Sequence, residues 1–226
     1  MMKEMILDKA KDLGADLVSF LNLKDYKSPR SPNPLRYLPS AKSIVVLAFS
    51  PLAGAYRYGE NTWSKMPSFL YAVESAGNTA AYHLGKFMER EFKAESFLVQ
   101  AHRPFEINEE TFRSPIGSVS LRHAAVQSGM AVWGKNTLAL TREYGPRVMF
   151  LGLLNSLDLE SDPPIEGYDP CSLLSDNAVA RHRPSGNPPA CKRIRQSKGK
   201  CCLAGVIGLQ VGNPGSRVNV IAARTL

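Results

Sequence analysis

Gly134-Lys135-Asn136-Thr137 is the run whose residue types could most directly hold a small ligand. A glycine lets the backbone come close to a bound group, and Lys135 and Asn136 bring donors for phosphate or amide oxygens. The same residues also describe an ordinary tight turn with a solvated lysine. Arg122, upstream in a helical stretch, could grip an anionic or amide group, or pair at the surface with Glu109 or Glu110. His83 and His123 fall in helical stretches without a partner at ligand spacing, and read as packed or surface imidazoles. The four cysteines, Cys171, Cys191, Cys201 and Cys202, have the spacing of neither a ferredoxin nor a zinc ribbon.

The elements that must position these groups follow from periodicity. Met5, Ile6, Ala10 and Leu13 recur at helical spacing with Gly14 as a stop. Residues 16–21 read as a short strand, and residues 28–39, with four prolines, as a surface loop. The apolar run within 43–49 predicts a strand buried on both faces. Residues 51–67 read as irregular. A long helix is expected from a Ser68 cap to Phe92, with Phe69, Val73, Ala76, Ala80, Leu84, Phe87 and Met88 as its apolar stripe and Gly77 and Gly85 as weak points. A second apolar strand covers 96–100, and the charged stretch 102–113 reads as a loop over a site. A helix capped by Ser118 or Ser120 runs through Ser128, and 137–141 and 148–154 are strand candidates joined around Tyr144-Gly145-Pro146. Interleaved strands and helices give an α/β or α+β sandwich.

Several motifs in one order resemble the epoxyqueuosine reductase family, which is related to the reductive dehalogenases. Leu13-Gly14-Ala15-Asp16-Leu17-Val18 is similar to its "Leu-Gly-Phe-Asp-x-Val" opening, and Tyr37-Leu38-Pro39-Ser40-Ala41-Lys42-Ser43-Ile44-Val45-Val46 to its "Leu-Pro-x-Ala-Lys-Ser-Val-Ile" strand. The stretch from Arg122 to Leu138 resembles its core signature, and Gly145-Pro146-Arg147-Val148-Met149-Phe150-Leu151-Gly152 its "Gly-Ser-x-x-Phe-Leu-Gly". The resemblance spans about three quarters of the chain, from Leu13 to Cys171. It implies a flavin-nitroreductase-like domain that binds cobalamin and does reductive chemistry in tRNA queuosine modification. The turn then lies beside the corrin, which makes Arg122, Gly134, Lys135, Asn136 and Thr137 the expected cofactor-binding residues and Trp133 an apolar wall. Where the family carries a Glu-Arg pair, this chain has Leu121-Arg122.

Two departures limit the expected chemistry. The family's proton-donating aspartate stands about seven residues before the arginine, where this chain reads Ser114-Pro115-Ile116-Gly117-Ser118. A serine at ordinary acidity is a poor proton donor, so Ser114, Glu109 and Glu110 are weak catalytic candidates, and little or no turnover of epoxyqueuosine-containing tRNA is expected. Asp162-Pro163-Pro164 and Asp169-Pro170-Cys171 fall where the family enters its 4Fe-4S ferredoxin-type ligands. Cys171 is therefore the one metal-ligand candidate, because Ser172-Leu173-Leu174-Ser175 supplies no thiolate after it.

Charge separates the two parts of the chain. The net charge is +8, and nine Lys or Arg face one acid from Cys171 onward, whereas the first 170 residues hold nineteen of each sign. All nineteen aromatic residues lie in those first 170. The expected organisation is a cobalamin-binding domain over 1–170 and a basic, poorly ordered or out-of-frame tail over 171–226. Lys3, Glu4, Asp8, Lys9, Lys11, Asp12 and Asp16 exclude a hydrophobic leader at the start of the chain, so a cytoplasmic protein without a membrane partner is expected. The expected partners are a corrinoid, an electron-donor protein and tRNA. The alternatives are a corrinoid-binding or iron–sulfur electron-transfer protein without tRNA chemistry, and an RNA-binding module using the basic tail.

Overall fold

The structure, a computed structural model, describes residues 1–29, 31–57, 70–100, 105–107, 115–135 and 137–170. Its centre is a four-stranded antiparallel sheet in the order β1-β2-β8-β3, formed by β1 (Leu17–Asn22), β2 (Ser43–Phe49), β3 (Ser96–Val99) and β8 (Met149–Asn155). Strand β2 occupies the predicted residues and all seven are buried, because it is flanked on both sides and covered on both faces. Its side chains alternate between two cores. Val45, Leu47 and Phe49 join Phe20, Leu151 and Leu153 on one face; Ile44, Val46 and Ala48 join Leu21, Phe150 and Leu154 on the other.

Helices α1 (Met2–Asp12) and α3 (Ala72–Phe92) cover the first face. Glu4 in the first turn of α1 and Lys9 and Lys11 in its last suit the helix dipole, and Gly14, at φ +94°, ends it. Ile6 and Ala10 are buried, whereas Met5, placed on the same stripe by spacing, is 42% exposed.

The buried stripe of α3 keeps Val73, Ala80, Leu84 and Met88 of the predicted one and adds Gly77, Ala81 and Gly85. Ala76 is exposed. A Cβ on Gly77 would stand 2.7 Å from Leu151 Cδ1, and one on Gly85 3.4 Å from Leu153 Cδ1. The two glycines read as weak points are thus where the helix comes down onto the sheet. The predicted Ser68 cap and Phe69 lie outside the described residues. The segment read as irregular contains a short helix, α2 (Ala53–Arg57).

The second face carries α4 (Leu121–Gln127) and a small hairpin, β6 (Val132–Trp133) with β7 (Ala139–Leu140). Another hairpin, β4 (Phe105–Ile107) with β5 (Pro115–Gly117), overlaps the stretch read as a loop. Strand β4, inside that stretch, corrects the reading for 105–107; the residues between the two strands lie outside the described set.

The outer edge of β1 is covered by the segment after β8. Phe20 N–H donates to Asp162 Oδ2 and Asp162 N–H to Phe20 O, both at 2.9 Å, while Asn22 N–H donates to Ser161 Oγ at 2.9 Å. Lys3 Nζ donates to Asp162 Oδ1 at 2.6 Å, which ties α1 to the same point. An open edge is thereby closed. Among the described residues, no helix is long and apolar enough to cross a membrane.

Candidate ligand site

Helix α4 sits on the sheet where β8 has no side chain. A Cβ on Gly152 would meet Leu121 Cδ2 at 2.5 Å, so Leu121 fills the space above that glycine. Ala124 and Ala125, both fully buried, continue the contact. At the far end of the helix, Ser128 Oγ shares a 2.6 Å hydrogen bond with Ser19 Oγ of β1, and the chain reverses at Gly129 with φ +70°.

The reversal feeds the β6–β7 hairpin, whose turn carries the residues singled out by sequence. Gly134 N–H donates to Leu138 O and Thr137 N–H to Gly134 O, each at 2.9 Å. Strand β6 therefore lies between the helix and the turn. Thr137 adopts φ +66°, a left-handed conformation that a threonine takes only at a cost in energy. Lys135 and Thr137 are exposed, and Trp133 is 40% exposed, so an ammonium, a hydroxyl and an indole face lie open on one hairpin.

Arg122 is brought to this turn. Its Nη1 donates to Thr137 O at 2.9 Å, and burial lowers the guanidinium's pKa from its usual value. Among the described residues, Arg122 thus bonds the turn's own backbone. Asn136, Ser114, Glu109, Glu110 and Cys171 lie outside the described residues.

His123 belongs to the site, although spacing alone did not place it there. Its ring meets Trp133 edge-on, with centroids 4.9 Å apart and planes at 69°, and Nδ1 shares a 2.7 Å hydrogen bond with Ser120 Oγ. Ser120 N–H in turn donates to Tyr26 Oη at 2.9 Å. The signal was the Ser120-x-x-His123 spacing at a helix start, which puts the two side chains on one face of the first turn.

Burial, and then the charge of Arg122, hold His123 below the usual histidine pKa. Protonation therefore favours the unfolded chain. The stability that neutral His123 permits is fully present above about pH 6.5, the unfolded value, and is lost as pH falls from there toward the folded pKa. We expect Tm to drop between pH 7.5 and pH 5.5 by more in the wild type than in His123→Gln. Parallel profiles in thermal melts would contradict this.

Among the described residues, no group of three or more His, Cys, Asp or Glu is arranged to hold a metal ion. No family model and no curated protein matches the chain. Solved structures do. One is an epoxyqueuosine reductase bound to an epoxyqueuosine-modified tRNA-Tyr stem loop, at TM-score 0.57 and 20% identity, covering 79% of this chain and 51% of that one. The chain shares that fold.

A selenomethionine-labelled epoxyqueuosine reductase matches at TM-score 0.56 and 20% identity, over 75% of this chain and 50% of that one. A catabolic reductive dehalogenase matches at TM-score 0.50 and 14% identity, over 72% and 22%. The chain thus spans about half the length of the epoxyqueuosine reductases it resembles.

Proposed function

We propose that residues 1–170 form a cobalamin-binding, flavin-nitroreductase-like domain of the epoxyqueuosine reductase type. The observation that carries this reading is the turn after Trp133, which exposes Lys135 and Thr137, on a fold shared with those enzymes. The residues suit a large amphipathic ring with amide side chains and a phosphate. Trp133 offers an apolar face that excludes water from the edge of a flat ligand. Lys135 and Thr137, both exposed, supply an ammonium and a hydroxyl for amide and phosphate oxygens, and Asn136 adds an amide from the same run. When bound, the cofactor supplies a strongly reducing metal centre; the protein's part is to bind it, orient it and limit access of water.

Ser114 in the place of the family's aspartate leaves the proton for a departing substrate oxygen without a donor at that position. This favours, as a second reading, a corrinoid-handling or electron-transfer protein without tRNA chemistry. Binding of tRNA is supported by the stem loop held in the structural relative. Removal of the two polar side chains of the turn tests the cofactor reading. Lys135→Ala with Asn136→Ala is expected to weaken hydroxocobalamin binding by at least about tenfold, or about 1.4 kcal/mol, with Tm little changed. Superimposable titration curves for wild type and double mutant would remove the turn from the site.

A further inference from the structure

We propose that Arg122 and His123 are positioning residues that set the Gly134–Thr137 turn before any ligand arrives, Arg122 through the backbone of Thr137 and His123 through the ring of Trp133. The inference deepens the cofactor reading, which supplies the purpose of the turn, but its physical basis is independent of which ligand binds.

The hairpin that carries the turn cannot hold itself in shape. Its ladder is two residue pairs long, Val132 with Leu140 and Trp133 with Ala139, and a two-stranded ribbon of that size is marginal in water. Thr137 adds left-handed backbone strain, which persists only where surrounding contacts over-determine it. The needed contacts come from two consecutive residues of α4. Side chains one apart on a helix diverge by about 100°, so neighbours can reach different parts of one loop. Arg122 reaches the carbonyl of the strained residue itself, at 2.9 Å. Its guanidinium is partly withdrawn from water, and that carbonyl satisfies one of its donors.

His123 packs T-shaped with Trp133, centroids 4.9 Å apart, and is anchored behind by Ser120. Ser120 is anchored by Tyr26, in the loop after β1. Contacts thus run from the sheet edge through Tyr26, Ser120 and His123 to the indole. Leu121, seated over Gly152, fixes the start of the helix from which both side chains project.

Amide exchange and tryptophan quenching on the ligand-free, full-length protein read this directly. In Arg122→Ala, exchange at the Gly134 and Thr137 amides should rise about tenfold while the Leu151 and Leu153 amides of β8 keep their wild-type rates. Arg122→Lys, which keeps one donor nitrogen, should recover part of that protection and gives the same comparison if the alanine variant folds poorly. In a Trp63→Phe background, His123→Ala should raise the acrylamide quenching constant of Trp133 about twofold, and His123→Phe, which preserves an edge contact, should restore it.

Wild-type exchange at Gly134 and Thr137 in both Arg122 variants, or unchanged quenching in His123→Ala, would overturn the proposal. Hydroxocobalamin titration separates it from the cofactor reading. Faster exchange in Arg122→Ala of a protein that binds no corrinoid would leave positioning intact and remove the cofactor. Weaker corrinoid binding with unchanged exchange would make Arg122 a direct contact and remove positioning.

Discussion

Replacing Gly129 by alanine is expected to lower the unfolding free energy by about 2–4 kcal/mol, combining left-handed backbone cost with overpacking. The residue has φ +70°, and an added Cβ would lie 2.0 Å from the carbonyl oxygen of Pro163 and 3.1 Å from its carbon. Both are backbone atoms, so no side-chain rotation relieves the contact. The Pro163 segment cannot retreat freely, because the neighbouring Asp162 exchanges two hydrogen bonds with Phe20 and holds Lys3. The alanine must break that edge cover or displace the end of α4, where Ser128 bonds to Ser19. Urea unfolding measures the loss. A decrease below about 1 kcal/mol would mean that the Pro163 segment yields easily and does not brace the sheet edge.

Gly152→Val tests the other support of α4, with an expected loss of about 1–3 kcal/mol from overpacking. Valine suits a strand, so its intrinsic preference opposes the effect by no more than about 1 kcal/mol. Its Cβ would stand 2.5 Å from Leu121 Cδ2 and 3.3 Å from Val99 Cβ. Leu121 must turn aside or lift the first turn of the helix, and Arg122 and His123 would move with it. The expected signature is a shifted Trp133 emission alongside the stability loss. Leu121→Ala in the same chain should recover part of both, since it removes the atoms in conflict. No recovery would show that the strain lies at Val99 or Ile44.

The sheet was legible where burial is two-sided. A continuous apolar run can only be a central strand or a buried helix, and the bounds of β2 matched those read from residues 43–49. For α3, periodicity revealed the helix and most of its buried face, Val73, Ala80, Leu84 and Met88, but not the glycines within that face. Helix propensity marks glycine as a weakness, whereas Gly77 and Gly85 permit close approach to Leu151 and Leu153, a property of the partner surface. Strand β6 was hidden because a strand of two residues carries no period, whereas β7 falls inside the strand read over 137–141.

Asp162 was read only as a point in a motif. Its pairing with Phe20 joins residues 142 apart, and no local pattern announces such a contact. In the site, the bond of Arg122 to the turn depends on a carbonyl whose direction only the fold sets. His123 illustrates the converse: its chemistry looked ordinary until Trp133 and Ser120 were found beside it.

The central claim is that this chain holds a corrinoid. Full-length protein mixed with excess hydroxocobalamin, passed through a gel-filtration column and read by its visible spectrum, tests it most directly. The account predicts that close to one equivalent of corrin elutes with the protein, with bands displaced from those of the free cofactor. Corrin that elutes wholly at small-molecule volume, leaving the protein peak colourless and the Trp133 emission unchanged across a titration, would contradict it.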